Sequence, residues 1–260
     1  MNKQKIIAQF NKAAARYDQQ AIIQKQVARY LHYLIQDLIQ AQHCAKPHNI
    51  ATICDVGCGT GFLTELLCRT FAHTQVTAVD IAPQMIEHCG KNLHDYDNVH
   101  AFVCDIATTQ LPKKFDVITS SLALQWVENF HHVLQSLWAA ANQTLCVSLL
   151  CEGTFHEWQS LFQQMALPNP SLHFIKFNQL QDLLWKVPSV KDVGIHQQKL
   201  TQRFADIAAF LRHIKSIGVH HSPYAEYTDP HVSANRLRRM LHMQRDFSVT
   251  YQVAYCLLRK

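Results

Sequence analysis

The chain has 260 residues, of which 48% are hydrophobic and 17% charged, and its formal net charge at pH 7 is +5. This composition excludes an intrinsically disordered chain and can supply the core of one α/β domain. Nine cysteines without a Cys-x-x-Cys pair argue against a disulfide framework or a zinc site, and we predict no metal site. No segment has the length and apolar character of a signal peptide or a membrane span, so we expect a cytoplasmic protein that does not contact a membrane.

The first part of the chain is predicted to be helical. A short helix is expected over residues 6–15, and apolar side chains at helical spacing predict a long helix over residues 17–40. We interpret residues 1–45 as an N-terminal helical lid.

The middle of the chain alternates between predicted strands and helices. Strands are expected at 51–56, 75–80, 99–104, 115–120 and 144–151, and helices at 62–71, 83–93 and 129–141. This alternation predicts a mostly parallel sheet that is covered by helices on both faces. Ligands of such sheets bind at the carboxyl ends of the strands.

The last third of the chain is less regular. Helices are predicted near 155–166 and 178–185, followed by two strands at 194–204 and 249–258. A hairpin needs only a few connecting residues, whereas about forty separate these two strands. Two helices are predicted in this insertion, at 205–216 and 233–244. We interpret residues 206–247 as a helical cap over the active site of a single domain, 1–260.

The most informative motif follows the first predicted strand. Residues 53–61 read Ile-Cys-Asp-Val-Gly-Cys-Gly-Thr-Gly, and a helical pattern starts directly after Gly61. Glycines allow positive φ values and close approach of a ligand to the backbone, and the free N–H groups of the helix point to the same place. Asp80 ends the second predicted strand, where a carboxylate that binds ribose is expected. The two features predict a nucleotide-like cofactor, either a dinucleotide or S-adenosylmethionine.

The glycine spacing separates these two cofactors. Gly57, Gly59 and Gly61 follow G-x-G-x-G, whereas the dinucleotide fingerprint is G-x-G-x-x-G. The pattern resembles motif I of the class I S-adenosylmethionine-dependent methyltransferases. Asp105, which follows the third predicted strand, matches the position at which this family binds the adenine amino group.

The resemblance implies a set of cofactor-binding residues. The loop would hold the methionine end of S-adenosyl-L-methionine, Asp55 would orient the ammonium group or the loop, and Asp80 would bind the ribose. Ile81 would pack on the adenine, and Asp105 with Ile106 would read its edge. The implied cofactor-binding set is Asp55, Gly57, Cys58, Gly59, Gly61, Asp80, Ile81, Met85, Asp105, Ile106, Ser121 and Leu122.

A narrower resemblance extends over the whole chain. Four segments are similar to the malonyl-acyl-carrier-protein O-methyltransferases of biotin synthesis, namely 10–18, 121–126, 152–157 and 214–218. The Gln125-Trp126 pair and the Lys215-x-x-Gly218 motif are its more specific marks. The resemblance implies a Rossmann-like class I fold with an antiparallel last strand, and methyl transfer from S-adenosyl-L-methionine to the free carboxylate of malonyl-acyl-carrier protein or malonyl-coenzyme A.

Residues for the acceptor side are also predicted. Tyr17 would close the lid over the cofactor, or only pack one helix on another. Residues 122–126, with Gln125 and Trp126, would line the methyl-transfer pocket, or Trp126 would only be part of the core. Lys215 would meet the malonyl carboxylate or the phosphate of the carrier's phosphopantetheine. Basic residues exceed acidic ones over 206–247, so a positive face could bind the acidic carrier or could be an ordinary solvated helix face. The predicted partner-binding arginines are Arg212, Arg236, Arg238 and Arg239.

The predicted chemistry needs no general base, because a malonyl carboxylate is already ionised at pH 7 and can attack the methyl group directly. Nucleic acid is not an expected partner, since the excess of basic residues is small and no aromatic platform accompanies it. Two other functions stay open. One is methylation of a small carboxylic acid or a quinone-like metabolite, and the other is a cofactor-binding assembly factor or hydroxylase on the same fold.

Overall fold

The computed structural model describes residues 3–45, 50–164, 174–218 and 245–260. The helices within these ranges are α1 (Lys3–Gln20), α2 (Ile22–Ala45), α3 (Phe62–Thr70), α4 (Pro83–Asn92), α5 (Phe130–Ala140), α6 (His156–Gln164), α7 (Phe177–Trp185) and α8 (Ile207–Ser216). The strands are β1 (Thr52–Val56), β2 (Gln75–Asp80), β3 (Val99–Val103), β4 (Phe115–Ser121), β5 (Ala141–Leu150), β6 (Asp192–Asp206) and β7 (Arg245–Arg259).

The strands form one sheet in the order β3-β2-β1-β4-β5-β7-β6. Strands β1 to β5 are parallel, and β7 runs antiparallel between β5 and β6. The predicted fold class, a mostly parallel Rossmann-like sheet with an antiparallel last strand, is confirmed. Because chain order reverses between β1 and β4, the crevice for a ligand lies at the carboxyl ends of these two strands.

Two hydrophobic clusters cover the two faces of the sheet. Alternate side chains of a strand enter different clusters, as Ile53 and Cys54 do on β1. Helices α2, α3, α6 and α8 contribute to the first cluster, and α5 and α7 contribute to the second. Burial on both faces explains why the central strands are nearly continuous apolar runs. None of the described helices combines the length and the apolar character needed to cross a membrane.

The N-terminal helices differ from the prediction in where they meet. We predicted a boundary before residue 17, but α1 continues to Gln20 and only Ala21 interrupts the helical run. Backbone hydrogen bonds continue on both sides of Ala21, and the Lys25 ammonium donates to the Asp18 carbonyl at 2.7 Å. Apolar periodicity could not locate this boundary, because the buried face continues across it.

The C-terminal part is dominated by the long antiparallel pair of β6 and β7, each of 15 residues. Helix α8 follows β6 directly, with Asp206 as its N-cap. Residues 219–244 of the predicted cap, which include the predicted helix over 233–244, lie outside the described residues.

Candidate functional site

A cavity of about 310 Å³ opens at the carboxyl ends of the central strands, with α1 as its opposite wall. This volume is in the range of small-molecule and cofactor sites. Many residues that the sequence assigned to a site line it together: Tyr17, Gly57, Gly59, Asp80, Ile81, Met85, Asp105, Ile106, Ser121, Leu122 and Trp126.

The glycine loop forms the floor of the cavity. Gly57, Gly59 and Gly61 have φ values of 70°, 57° and 91°, in the left-handed region that favours glycine. A Cβ atom on Gly57 would lie 2.2 Å from the Cβ of Ala123, so no side chain fits there. A Cβ on Gly59 would instead come within 4.0 Å of the Tyr17 ring. The loop and Tyr17 on α1 therefore approach each other closely at Gly59, and both line the cavity.

Asp80 connects the second strand to this loop. Its Oδ2 accepts a hydrogen bond from the Gly59 N–H at 2.9 Å, and its Oδ1 accepts one from the Ala82 N–H at 2.8 Å. Burial raises the pKa of the Asp80 carboxyl, and the bonds from the backbone N–H groups oppose this effect. A carboxylate has about four acceptor positions, so acceptor capacity is left for the hydroxyl groups of a ligand.

Asp105 is held differently, by the start of α1. The Lys3 Nζ lies 2.5 Å from its Oδ2, the Ala107 N–H donates to its Oδ1, and the Thr108 hydroxyl donates to its Oδ2. Burial alone would raise the pKa of Asp105, but these donors outweigh burial and lower it. Lys3 was not among the predicted residues. The ion pair ties α1 to the carboxyl end of β3.

Three predicted cofactor residues lie behind the cavity wall and do not line it. The buried Asp55 accepts a hydrogen bond at Oδ2 from the Thr64 hydroxyl at 2.7 Å, and its Oδ1 has no partner among the described residues. Burial raises the pKa of Asp55 to about 7, although the bond from Thr64 opposes the rise. The Cys58 Sγ lies 4.0 Å from the Cys89 Sγ, and a Cβ on Gly61 would come within 2.8 Å of that same sulfur. These residues shape the loop and its packing on α4.

Helix α1 is fastened to the glycine loop by Asp18, which sequence reasoning missed. Its Oδ1 accepts from the Thr60 hydroxyl at 2.6 Å, and its Oδ2 accepts from the Asn92 amide at 3.0 Å. The neighbouring Tyr17 faces the cavity, where burial and then the nearby Asp80 and Asp18 carboxylates raise the pKa of its phenol. Tyr17 is therefore neutral at pH 7. The only signal for Asp18 in the sequence is its position beside Tyr17 in the motif 10–18.

The acceptor side of the cavity is built after β4. Leu122 has φ 49°, a strained value for a residue with a side chain, and its N–H donates to the Ser148 carbonyl and hydroxyl. The 3₁₀ helix Leu124–Trp126 follows, and the Trp126 ring meets the Phe10 ring edge to face, with centroids 5.6 Å apart. Phe10, which was not predicted as a site residue, thus closes the cavity from α1.

A second, smaller cavity of about 30 Å³ lies behind this aromatic pair. It shares Phe10, Tyr17 and Trp126 with the first cavity. Gln125 lines this inner pocket and donates through its amide to the Leu122 carbonyl at 2.9 Å. The side-chain oxygens of Gln125 and Gln24 are buried without a hydrogen-bond partner among the described residues. Such unsatisfied groups are costly, and they indicate a place for a polar ligand group.

The predicted cap residues lie elsewhere. Lys215 and Arg212 are exposed on α8 and line a separate surface groove, not the cavity. Gly218 ends α8 with φ 76°, and its Cα approaches α1 so closely that a Cβ would lie 3.0 Å from the Phe10 ring. Within the described residues, the Lys-x-x-Gly motif therefore meets the cavity wall through Phe10, and its Ile217 lines the inner pocket. The predicted Arg236, Arg238 and Arg239 lie outside the described residues.

These groups fit S-adenosyl-L-methionine. The glycine loop lines a cavity of cofactor size, and Asp80 has acceptor capacity left for ribose hydroxyls. Ile81, Met85 and Ile106 give the cavity an apolar lining. Asp55 leaves one buried acceptor behind the loop.

Comparison with known proteins agrees with this geometry. A family model described as "Methyltransferase domain" matches residues 53–143. A malonyl-[acyl-carrier protein] O-methyltransferase of Bacillus anthracis is 30% identical, over 95% of this chain and 91% of its own. Proteins of the same name from Neorickettsia risticii and Acinetobacter baylyi are each 28% identical, covering 98% and 100% of this chain and 96% and 98% of their own.

Solved structures agree on the fold. The YcgJ protein from Bacillus subtilis aligns with a TM-score of 0.56 at 12% identity, over 89% of this chain and 98% of its own. The magnesium protoporphyrin IX methyltransferase of Synechocystis with bound SAH aligns with a TM-score of 0.54 at 16% identity, over 91% of this chain and 83% of its own. The similarity to its sequence relatives extends over nearly the full chain, and it shows that the chain belongs to the family of malonyl-[acyl-carrier protein] O-methyltransferases.

Proposed function

We propose that this chain uses S-adenosyl-L-methionine to methylate the free carboxylate of a malonyl group carried by acyl carrier protein. The product is the malonyl methyl ester, an intermediate of biotin synthesis, and malonyl-coenzyme A is the alternative form of the acceptor. One observation carries the proposal: a cavity in which the glycine loop and Asp80 face the aromatic side chains of α1 and the β4 loop. The full-length similarity to malonyl-[acyl-carrier protein] O-methyltransferases supports the acceptor.

The strand side of the cavity binds the cofactor. When bound, S-adenosyl-L-methionine supplies an electrophilic methyl group on a sulfonium sulfur. Asp80 accepts hydrogen bonds from the ribose hydroxyls, Ile81 and Ile106 pack against the adenine, and Asp105 accepts from its amino group. The free Oδ1 of Asp55 is available to the ammonium group or to a loop N–H.

The helix side orients the acceptor and excludes water. A malonyl carboxylate is ionised at pH 7, so the chain does not have to remove a proton. The edge-to-face pair of Phe10 and Trp126 separates the cavity from the inner pocket. The side-chain oxygens of Gln125 and Gln24 can accept hydrogen bonds there, whereas the Gln125 NH₂ group already donates to the Leu122 carbonyl. The inner pocket, of about 30 Å³, has room for a small polar group.

The lid, the cap, the single domain and the location of the protein are part of the proposal. Residues 1–45 act as a lid and residues 206–247 as a cap on one domain, 1–260. The ties of Lys3 and Asp18 to the strand side support the first assignment. A cytoplasmic location is supported by the eight described cysteines, which are all free and buried, as is usual for a reducing compartment.

The reaction is tested with labelled S-adenosyl-L-methionine and three acceptors: malonyl-acyl-carrier protein, malonyl-coenzyme A and free malonate. We expect label and one added methyl group, found by mass measurement, on the malonyl-carrier. Asp80→Asn should raise the KM for the cofactor about tenfold, because it weakens hydrogen bonds to a charged group, while Asp95→Asn at an exposed site is the matched control.

Other outcomes identify the alternatives. Equal methylation of free malonate would favour an enzyme of small carboxylic acids. Cofactor binding without methylation of any acceptor would favour an assembly factor, and the proposed function would then be wrong.

A further inference from the structure

A second large depression lies on the outer side of α1. This groove, of about 950 Å³, runs between α1, β6 and α8. Five cationic side chains line it, and no Asp or Glu occurs among its described lining residues. The five are Lys12, Arg16, Arg203, Arg212 and Lys215.

The five cations are available to a partner. All are exposed, and none has a carboxylate within ion-pair distance in the described part of the chain. Three separate elements bring them together: α1 contributes Lys12 and Arg16, β6 contributes Arg203, and α8 contributes the other two. Like charges collected from three elements repel one another, which favours binding of an anionic partner.

The groove also has an apolar component. Ile22 lines it and is 52% exposed, an unusual degree for a large apolar side chain, and the half-buried Phe204 lies on the same lining. An apolar contact within a basic rim fits the surface of a folded protein with acidic side chains. Single-stranded nucleic acid would need a platform of aromatic side chains for base stacking.

The position of the groove relates it to the cavity. Phe10 and Tyr17, on the inner face of α1, line the cavity, whereas Lys12 and Arg16, on its outer face, line the groove. A helix with its side chains is about 10 Å across. A protein held in the groove is therefore separated from the cavity by a single helix, a distance that a flexible prosthetic arm can bridge.

We propose that this groove is the docking surface for an acidic face of the malonylated acyl carrier protein. The inference rests on the proposed function, and it extends to α1 and β6 a role that we predicted from the sequence only for basic residues of the cap, 206–247. Lys215 then meets the carrier or the phosphate of its arm, and not the carboxylate in the cavity.

The test measures binding of fluorescently labelled malonyl-carrier to the full chain. The groove variant combines Lys12→Glu, Arg16→Glu and Arg203→Glu. The matched control, with the same change in charge at exposed sites outside the groove, combines Lys114→Glu, Lys186→Glu and Lys191→Glu. Cofactor affinity and thermal unfolding show whether each variant is folded, and a milder variant with Gln at the three groove positions serves if the Glu variant does not fold.

We expect the groove variant to bind the carrier at least about tenfold more weakly, with a flatter dependence on salt, while the control binds as the wild type does. Unchanged carrier affinity in the groove variant would overturn the proposal. Tighter binding of a single-stranded oligonucleotide than of the carrier would overturn it as well. Because binding is measured without turnover, failure of methyl transfer by the wild type would count against the proposed function and not against the groove.

Discussion

The strand wall and the helix wall of the cavity are built in different ways. On the strand side, backbone N–H groups of the glycine loop are bound to β2: the Gly57 N–H donates to the Val79 carbonyl at 2.7 Å, and the Gly59 N–H donates to the Asp80 carboxylate. On the helix side, α1 is attached through side chains, with Asp18 on Thr60 and Lys3 on Asp105. The strand wall is thus fixed by the fold itself, whereas the helix wall depends on a few polar contacts that can be removed one at a time.

The largest effect is expected in the strand wall. Gly57→Ala would put a methyl group 2.2 Å from the Ala123 Cβ at a φ of 70°, so the loop must move. We expect the Kd for S-adenosyl-L-methionine, measured by calorimetry, to rise about a hundredfold, or about 3 kcal/mol. Gly90→Ala is the control, since Gly90 lies in α4 with open space around it and should bind the cofactor normally. Normal binding by the Gly57 variant would show that the backbone does not preorganise this wall.

An intermediate effect is expected where the two walls meet. Asp18→Ala removes the acceptor for both Thr60 and Asn92 but keeps the backbone bond from Lys25. Hydrogen bonds to charged groups stabilise by about 1.5–3 kcal/mol each, but the bond from Thr60 is part-buried and the bond from Asn92 is exposed, so we expect the cofactor Kd to rise only about tenfold. Amide hydrogen exchange in α1 should become faster.

Gln19→Ala, at the exposed neighbouring position, serves as the control for Asp18→Ala. If the Asp18 variant left both the exchange of α1 and the Kd at wild-type values, packing alone would hold the helix, and the contrast between the walls would disappear.

The smallest effect is expected for Lys3→Met. The Lys3 and Asp105 side chains are 44% and 23% exposed, so their attraction is screened, and the Kd for the cofactor should rise by less than about threefold. The difference from wild type should vanish in high salt. It should also vanish at low pH, because the pKa of Asp105 is lowered in the folded state and the ion pair is lost as the pH falls through that value.

Lys91→Met breaks a comparable surface pair with Glu87 away from the cavity, so it should leave the Kd unchanged at every salt concentration. A Lys3 variant that behaves in the same way would remove this contact from the helix wall.

The sequence predicted the strand wall well because its signals are local. Apolar runs, alternate glycines and an acidic residue at each strand end lie within short segments, and parallel strands bring their carboxyl ends together. The helix wall was predicted only in part, with Tyr17 but without Phe10 or Asp18. Asp18 and Thr60 are 42 residues apart, and Lys3 and Asp105 are 102 residues apart, so no local pattern connects them.

The position of Lys215 shows the same limit. Its motif was recognised, but where its side chain lies depends on how α8 packs on α1. Gly218 sets that packing through its positive φ and its contact with Phe10. The motif therefore indicated the family, but it did not predict that the Lys215 side chain lies outside the cavity.

Strand β6 ends the sheet and leaves one edge without a neighbouring strand in the described chain. Such an edge can pair with a strand of another molecule and start aggregation. Along its exposed side chains, β6 carries Lys199, Thr201 and Arg203 in alternation. A second copy that approached this edge would have to strip water from two cations, so Arg203, which also lines the groove, and Lys199 together keep neighbouring molecules from pairing through their sheets.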